Sequence, residues 1–177
     1  FDEHERGLLM TLKVVVWGTG NVGRPAIRAV LSHRALELVG VIVASKDKVG
    51  LDAGKIAGVG TTGVIATDDW RSVLDAKPDA VVYTATADIR PVEAMGDLLV
   101  CLEAGINVVS TAFYAYLNPA STPQEALQPV NDACARRNAR YSVNIAARAH
   151  PSLVPLMASV SVGGARINSR NRRLSRR

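Results

Sequence analysis

A glycine-rich segment near the start of the chain carries the clearest chemical pattern in the sequence. It follows the apolar run Thr11–Trp17, whose β-branched residues predict a buried strand. A helical stretch to about Ser32 comes next, with Pro25 in its first turn, where a missing N–H costs nothing. The segment has the spacing Gly-x-Gly-x-x-Gly and consists of Gly18, Thr19, Gly20, Asn21, Val22 and Gly23.

This spacing between a strand and a helix is typical of a turn that binds the pyrophosphate of a dinucleotide. Gly18 would permit the tight bend, Gly20 would let the backbone approach the phosphates, and Gly23 would let the helix pack close to the strand. Unpaired N–H groups at the start of the helix favour a bound anion. The alternative is a purely structural turn, since glycines also cluster by chance in a chain that has 14 of them. We predict that the whole turn binds NADP or NAD.

The end of the second predicted strand, Leu36–Val43, should distinguish these two cofactors. NAD-binding domains usually place Asp or Glu there to hold the ribose hydroxyls. This chain has Ala44, Ser45 and Lys46 instead, and a hydroxyl with an ammonium suits a 2′-phosphate. We therefore predict that Ser45 and Lys46 bind the adenosine ribose and that NADP is slightly favoured. Asp47 counts against this preference, and a solvated loop lysine is the alternative for Lys46.

Small hydroxyl residues follow two later predicted strands, where the ligand edge of an open α/β sheet lies. Thr84, Ala85 and Thr86 come at the end of one strand, and Thr111 comes after another. We predict that these four residues lie near the nicotinamide ribose and carboxamide. The alternative is that the threonines only cap the helices that follow.

Other ionisable side chains form no catalytic or metal-binding pattern. Asp88 and Tyr114 lie near the predicted ligand edge, but helix capping and packing account for them, so no catalytic residue is assigned. The three histidines are scattered, and Cys101 and Cys134 lack C-x-x-C spacing, so we predict no metal site. No apolar run approaches the ~18 residues of a membrane span, and the start of the chain is acidic, unlike a signal peptide. We expect a cytoplasmic protein without a membrane partner.

Predicted strands and helices alternate along the chain, and the strands are apolar on both faces. Such a pattern favours an α/β fold of the Rossmann type, a doubly wound, mostly parallel sheet with helices on both faces, over residues 10–145. After the second strand the predicted strands are Val64–Ala66, Ala80–Thr84, Ile106–Ser110 and Tyr141–Ile145. The predicted helices are a short helix or tight loop over Gly50–Gly58, a turn over Asp68–Leu74 capped by Thr67, Ile89–Glu103, and a helix with Pro123 at its first position that ends near Asn138 and is kinked or divided by Pro129.

The net charge of +5 is concentrated at the end of the chain. Residues 141–177 contain seven arginines and no acidic residue, whereas 1–140 carry 14 basic and 16 acidic residues. We predict that 146–177 form a basic, disordered tail. Nucleic-acid binding through this tail is an alternative function that we consider weak, because the tail has no lysine and no aromatic residue after Tyr141 for stacking on bases.

Several segments together resemble the N-terminal domain of dihydrodipicolinate reductase-like proteins, in particular the 2,4-diaminopentanoate dehydrogenase-like branch. They are VVVWGTGNVG, ASKDKVGLDAGKIAG, TGVIATDD, PDAVVYTATAD and LEAGINVVST, and the resemblance covers about residues 12–140. It implies an NAD(P)-dependent oxidoreductase that moves a hydride between nicotinamide and an amino- or imine-bearing small molecule.

The resemblance ends near Arg140. Relatives continue with a Gly-x-Asp-Pro-Gly-like turn and a second α+β domain that binds substrate and aids oligomerisation, and neither follows here. The His-His and Lys pattern of the classical reductases is also missing. We expect the substrate domain to be absent through truncation of the gene by a frameshift, because out-of-frame translation of GC-rich DNA produces such an acid-free tail. The chain would then be an oxidoreductase completed by another chain, or a non-catalytic nucleotide-binding remnant; the substrate and the oligomeric state stay open.

Overall fold

A parallel sheet of six strands runs through the residues that the computed structural model describes, which are 11–113, 116 and 119–143. The strands are β1 Leu12–Trp17, β2 Leu36–Ile42, β3 Ala66–Thr67, β4 Ala80–Tyr83, β5 Asn107–Ser110 and β6 Tyr141–Val143. The helices of this part of the chain are α1 Gly23–Ser32, α2 Ala53–Ala57, α3 Trp70–Asp75, α4 Pro91–Glu103 and α5 Gln124–Arg137. The predicted tail 146–177, the predicted strand end at 144–145 and Tyr114 lie outside the described residues.

The strand order is β3-β2-β1-β4-β5-β6, and every neighbouring pair is parallel. The chain starts in the middle of the sheet, winds to one edge, and then crosses to build the other half. The winding direction reverses between β1 and β4, which is where ligands bind in sheets of this kind. The predicted α/β fold of the Rossmann type is confirmed.

The two faces of the sheet are covered by different helices and by different kinds of side chain. Along β1, Val14 and Val16 belong to the core beneath α1 and α2, whereas Val15 and Trp17 belong to the core beneath α3, α4 and α5. The first core contains only Val, Ala, Ile and Leu, and we call it the aliphatic face. The second contains both buried cysteines and a continuous row of ring contacts, and we call it the aromatic face. The row runs Trp70, Trp17, Tyr83, Phe113, Tyr116 and Tyr141, with neighbouring centroids 5.4–6.3 Å apart.

The start of α3 differs from the prediction. Its N-cap is Asp69, whose side chain accepts a hydrogen bond from the Ser72 N–H at 3.3 Å. Thr67, the predicted cap, instead accepts from the Asp69 N–H at 3.0 Å. The predicted cap was therefore wrong by two residues, because the short strand β3 extends to Thr67 and the helix can begin only after the turn that follows it.

Proline residues bear on the bounds of α5, and a glycine ends α2. Pro129 neither divides nor ends α5, which is one continuous helix from Gln124, and Pro123 is its N-cap rather than its first residue. Between the two predicted alternatives for Gly50–Gly58, the structure has a short helix, α2, which ends at Gly58 with φ +73°. Such a left-handed C-cap is the conformation that glycine adopts without strain.

Candidate functional site

The strands on either side of the reversal point end at the same level. In the sheet register Trp17 is paired with Ile42 of β2 and with Tyr83 of β4, and Tyr83 is paired with Ser110 of β5. The segments that follow these four residues therefore share one edge of the sheet. This edge brings together the glycine turn and the loops that carry the other predicted site residues.

The glycine turn needs glycine at two positions for geometric reasons. Gly18 has φ +103°, and a Cβ there would lie 2.7 Å from the Ala85 backbone nitrogen. A Cβ on Gly23 would lie 2.0 Å from the Gly18 carbonyl oxygen, so α1 starts in direct backbone contact with the turn. A Cβ on Gly20 would meet nothing within 4 Å, which leaves open space over this part of the turn. The turn can thus be approached closely at Gly20 and is tightly packed on both sides of it.

Several backbone N–H groups at the start of α1 form no hydrogen bond with another described residue. Within the part of the chain that the structure describes, the backbone N–H groups of Asn21, Val22 and Gly23 have no acceptor, and the first bond of the helical series runs from the Arg24 N–H to the Gly20 oxygen. Val22, the N-cap, forms no side-chain capping bond. Free donors at the positive end of a helix dipole suit an anion.

Thr84 connects the glycine turn to the end of β4 by hydrogen bonding. Its half-buried hydroxyl lies 3.1 Å from the Trp17 carbonyl oxygen and 3.0 Å from that of Gly18, and it can donate to either. The prediction that Thr84 contacts the nicotinamide ribose stays a prediction, and the structure adds a role in holding Gly18.

The remaining residues of the predicted nicotinamide end lie on the same edge, farther along it. Ala85 packs against Gly18, Thr86 is exposed, and the Thr111 N–H donates to the Tyr83 oxygen at 3.3 Å. Among the described residues no hydrogen bond joins Thr86 or Thr111 to the glycine turn. Their proximity to a nicotinamide also stays a prediction.

The loop after β2 forms a short 3₁₀ turn over Lys46–Lys48 and contains the residues predicted to bind the ribose. The Ser45 hydroxyl donates to the Asp47 carboxylate, and this bond lowers the pKa of Asp47. The Lys46 ammonium pairs with Asp68, which lies just after β3, and this bond lowers the pKa of Asp68. Both polar groups already have partners within the loops, although Lys46 is 84% exposed.

Lys48 also reaches the glycine turn, although it was not among the predicted site residues. Its Nζ lies 3.4 Å from both the carbonyl oxygen and the Oγ1 of Thr19, so the ammonium reaches the glycine turn. The prediction considered only the residues directly at the end of β2. The 3₁₀ turn folds the chain back after Ser45, and a run of three residues gives too little periodicity to reveal this.

Asp52 anchors the loop beyond α2. It accepts hydrogen bonds from the N–H groups of Gly54 at 2.7 Å and Gly63 at 2.8 Å, and from both the N–H and the hydroxyl of Thr62 at 3.1 Å. Desolvation would raise the pKa of Asp52, but these donors outweigh it and lower the pKa. The signal in the sequence is Asp directly before a short helix, which is typical of an N-cap.

A polar network lies on the aromatic face below the loop that follows β4. The Tyr83 hydroxyl donates to the Asp97 carboxylate at 2.9 Å, and the Arg90 guanidinium donates to the same oxygen at 3.1 Å. Burial, reinforced by Asp97, raises the pKa of Tyr83. Phe113 stacks on Tyr83 and has φ +62°, a conformation that is rare for a bulky side chain. The network joins the start of α4 to the end of β4.

No described group is arranged as a catalytic acid, base or nucleophile. Asp88 is exposed and forms no hydrogen bond to another described residue, and burial raises the pKa of the Cys101 thiol to about 12. The described residues contain no cluster of three His, Cys, Asp or Glu side chains that could hold a metal ion. In the same part of the chain, every helix is too short or too polar to cross a bilayer.

Comparison with known proteins places this chain in a family. Residues 12–115 match the family model described as dihydrodipicolinate reductase, N-terminus. An amine dehydrogenase from Streptomyces virginiae is 49% identical over 120 residues, which are 67% of this chain and 33% of that protein. A 4-hydroxy-tetrahydrodipicolinate reductase from Chromohalobacter salexigens is 36% identical over 101 residues, which are 56% of this chain and 36% of that protein. The chain thus spans about a third of the length of these relatives.

Solved structures agree with this assignment. An amine dehydrogenase from Mycobacterium smegmatis has a TM-score of 0.66 and 27% identity, over 75% of this chain and 39% of that one. A dihydrodipicolinate reductase from Paenisporosarcina sp. TG-14 has a TM-score of 0.54 over 76% of this chain and 47% of that one, and at 19% identity it supports the fold alone. The chain belongs to the dihydrodipicolinate reductase family of NAD(P)-dependent oxidoreductases and carries the N-terminal, Rossmann-type domain of that family.

Proposed function

We propose that this domain binds NADP or NAD at the carboxyl edge of β1, β2 and β4, with the turn from Gly18 to Gly23 against the pyrophosphate. The observation that carries the proposal is the combination of three N–H groups that have no acceptor within the described part of the chain and the open space over Gly20. A diphosphate supplies the missing acceptors and the negative charge that the start of α1 favours. The close backbone packing of Gly23 keeps these donors in place.

The adenosine ribose would lie by the loop after β2, with Ser45 and Lys46 as its contacts. NADP is the favoured cofactor because this loop places two lysines and one aspartate where NAD-binding domains usually place an acidic residue. An incoming 2′-phosphate would have to compete with Asp68 for the Lys46 ammonium. This competition makes the preference for NADP a modest one.

The nicotinamide would lie toward β4 and β5, near Thr84, Ala85, Thr86 and Thr111. The cofactor then supplies hydride transfer, and the residues of this domain bind and orient it. The relatives are described as an amine dehydrogenase and a tetrahydrodipicolinate reductase. These names support a substrate with an amine or imine nitrogen, and we propose this class for the oxidoreductase to which the domain contributes.

A thermal-shift titration of the whole chain with NADP and, separately, NAD tests the cofactor proposal. Mass action requires a stabilisation that grows with ligand concentration, about 2.7 kcal/mol at a hundredfold excess over Kd. We expect the midpoint to rise with both dinucleotides and to rise more with NADP. A flat titration with both would contradict the proposal.

Two matched glycine substitutions separate binding from folding. Gly20→Ala and Gly96→Ala each add a Cβ to open space, the first in the turn and the second on the exposed surface of α4. We expect both variants to fold, and only Gly20→Ala to reduce the ligand-induced shift, because its methyl group occupies the approach to the backbone. Equal shifts in the two variants would remove the turn from the binding site.

A further inference from the structure

Lys46 and Lys48 lie in the same 3₁₀ turn, but their ammonium groups have different surroundings. Lys46 is mostly exposed and pairs with Asp68. Lys48 is only partly exposed, and its ammonium points back to Thr19 at the start of the glycine turn. Within the described residues no carboxylate lies within 4.0 Å of the Lys48 ammonium. Among the described residues, Lys46 therefore forms an ion pair, whereas the direct contacts of the Lys48 ammonium are with neutral oxygens.

The neutral contacts of Lys48 are weak. Both are 3.4 Å long, at the outer limit of a hydrogen bond, so a closer or charged acceptor would displace them at little cost. The neighbouring Asp47 carboxylate accepts a hydrogen bond from Ser45 and also interacts with the Lys48 charge without forming an ion pair, and both interactions lower the pKa of Asp47. The ammonium thus lies beside the glycine turn without an ion-pair partner among the described residues.

The groups around Lys48 at the turn carry the same sign. The N–H groups of Asn21, Val22 and Gly23 have no acceptor among the residues that the structure describes, and they lie at the positive end of the α1 dipole. Gathering positive groups without an anion costs electrostatic free energy, which a bound anion would recover. A phosphate group is the anion of suitable charge in the ligand proposed for this site.

We propose that Lys48 is the main lysine that binds a phosphate group of the dinucleotide, and that Lys46, at the ribose, contributes less. The inference rests on the proposed function and adds an affinity-determining residue to the same site. Lys48 comes from the loop after β2 and reaches the first half of the turn, so it contacts the adenosine half of the cofactor. The adenosine half adjoins the pyrophosphate and, in NADP, also carries the 2′-phosphate. A comparison of NADP with NAD distinguishes these two groups, because only NADP has the 2′-phosphate.

Calorimetric titration of the full chain with NADP and with NAD tests this assignment. Lys48→Gln should raise the Kd about tenfold or more, which is the loss of one charge-assisted hydrogen bond. Lys55→Gln is the control: it removes the same charge from an exposed position outside the proposed site and should change the Kd by less than about threefold. Lys46→Gln should raise the Kd less than Lys48→Gln does, because the Lys46 ammonium already pairs with Asp68. Lys48→Arg keeps the charge and should restore most of the affinity. A loss confined to NADP assigns Lys48 to the 2′-phosphate, and an equal loss for both cofactors assigns it to the pyrophosphate.

Other outcomes overturn the assignment. An affinity of Lys48→Gln equal to that of Lys55→Gln would contradict it, and so would a larger loss in Lys46→Gln. If Lys48→Gln does not fold, Lys48→Met keeps most of the aliphatic stem and should show the same loss of affinity. Failure of the unmodified chain to bind either dinucleotide would instead contradict the proposed function, and this inference with it.

Discussion

The aliphatic and aromatic faces of the sheet are packed in different ways. On the aliphatic face, small and branched side chains let backbone approach backbone, as where a Cβ on Gly23 would lie 2.0 Å from the Gly18 oxygen. On the aromatic face, large rings fill a wider layer, and their polar ends need partners, as Tyr83 does with Asp97. The glycine turn lies on the first face, where close backbone packing fixes the direction of the N–H groups at the start of α1. The second face holds the adjoining loops through side-chain networks.

The largest effect should come from breaking the close packing of the aliphatic face. In Gly23→Ala the added methyl group would overlap the Gly18 carbonyl, and α1 would have to move away from the turn. We expect a loss of about 3 kcal/mol of unfolding free energy, or no folded protein. Urea denaturation measures the loss, with Gly96→Ala as the control, which should lie within about 1 kcal/mol of the unmodified chain. Equal stability of the two variants would show that the turn and α1 are not in contact.

A smaller effect is expected from the aromatic face, where a hydrogen bond rather than backbone packing is lost. Tyr83→Phe removes a hydroxyl that donates to a carboxylate, at a cost of about 1.5–2 kcal/mol. Tyr116→Phe is the control, since its hydroxyl donates to the neutral Ala126 carbonyl and its loss should cost about 1 kcal/mol. Urea denaturation at neutral pH compares them. A larger loss in Tyr116→Phe would contradict a structural role for the Tyr83–Asp97 pair.

Alkaline pH sharpens the same comparison. The pKa of Tyr83 is raised in the folded chain by burial and then by Asp97. Its contribution to stability is therefore complete below the pKa of an unfolded tyrosine, about 10, and decreases as pH rises above that value. Above pH ~10 the free energy of unfolding of Tyr83→Phe should therefore decrease less steeply with pH than that of the unmodified chain. An unchanged slope would mean that Tyr83 ionises freely in the folded state.

The smallest effect concerns Asp52 on the aliphatic side and is confined to acid pH. The backbone donors of the loop beyond α2 lower the pKa of Asp52, although desolvation alone would raise it. The stability it contributes is present above the pKa of an unfolded Asp, about 3.9, and is lost as pH falls below it. In Asp52→Asn the free energy of unfolding should therefore decrease less steeply as pH falls below about 3.9. Urea denaturation at several pH values measures this dependence. Asp75→Asn, which changes an exposed acid on α3, is the matched control variant.

The sheet and the glycine turn could be predicted from sequence because their signals are local and repeated. The β-branched runs gave strands with apolar residues on both faces, and the spacing of Gly18, Gly20 and Gly23 gave the strand-turn-helix unit. The contacts of Lys48 with Thr19 and of Asp97 with Tyr83 could not be predicted from sequence. They depend on how the loop after β2 and helix α4 fold back over the sheet. The prediction of the α3 cap was wrong because three hydroxyl or acidic residues, Thr67, Asp68 and Asp69, stand in succession, and the sequence does not show that β3 extends to Thr67.

The proposed function requires the glycine turn to present N–H groups to a dinucleotide. Amide NMR of the isotopically labelled chain, titrated with NADP, measures this contact at each residue. We expect saturable shifts that are largest at Asn21, Val22 and Gly23. Shifts concentrated at the opposite edge of the sheet, around Lys13 and Asn107, or no saturable shift at any amide, would contradict it.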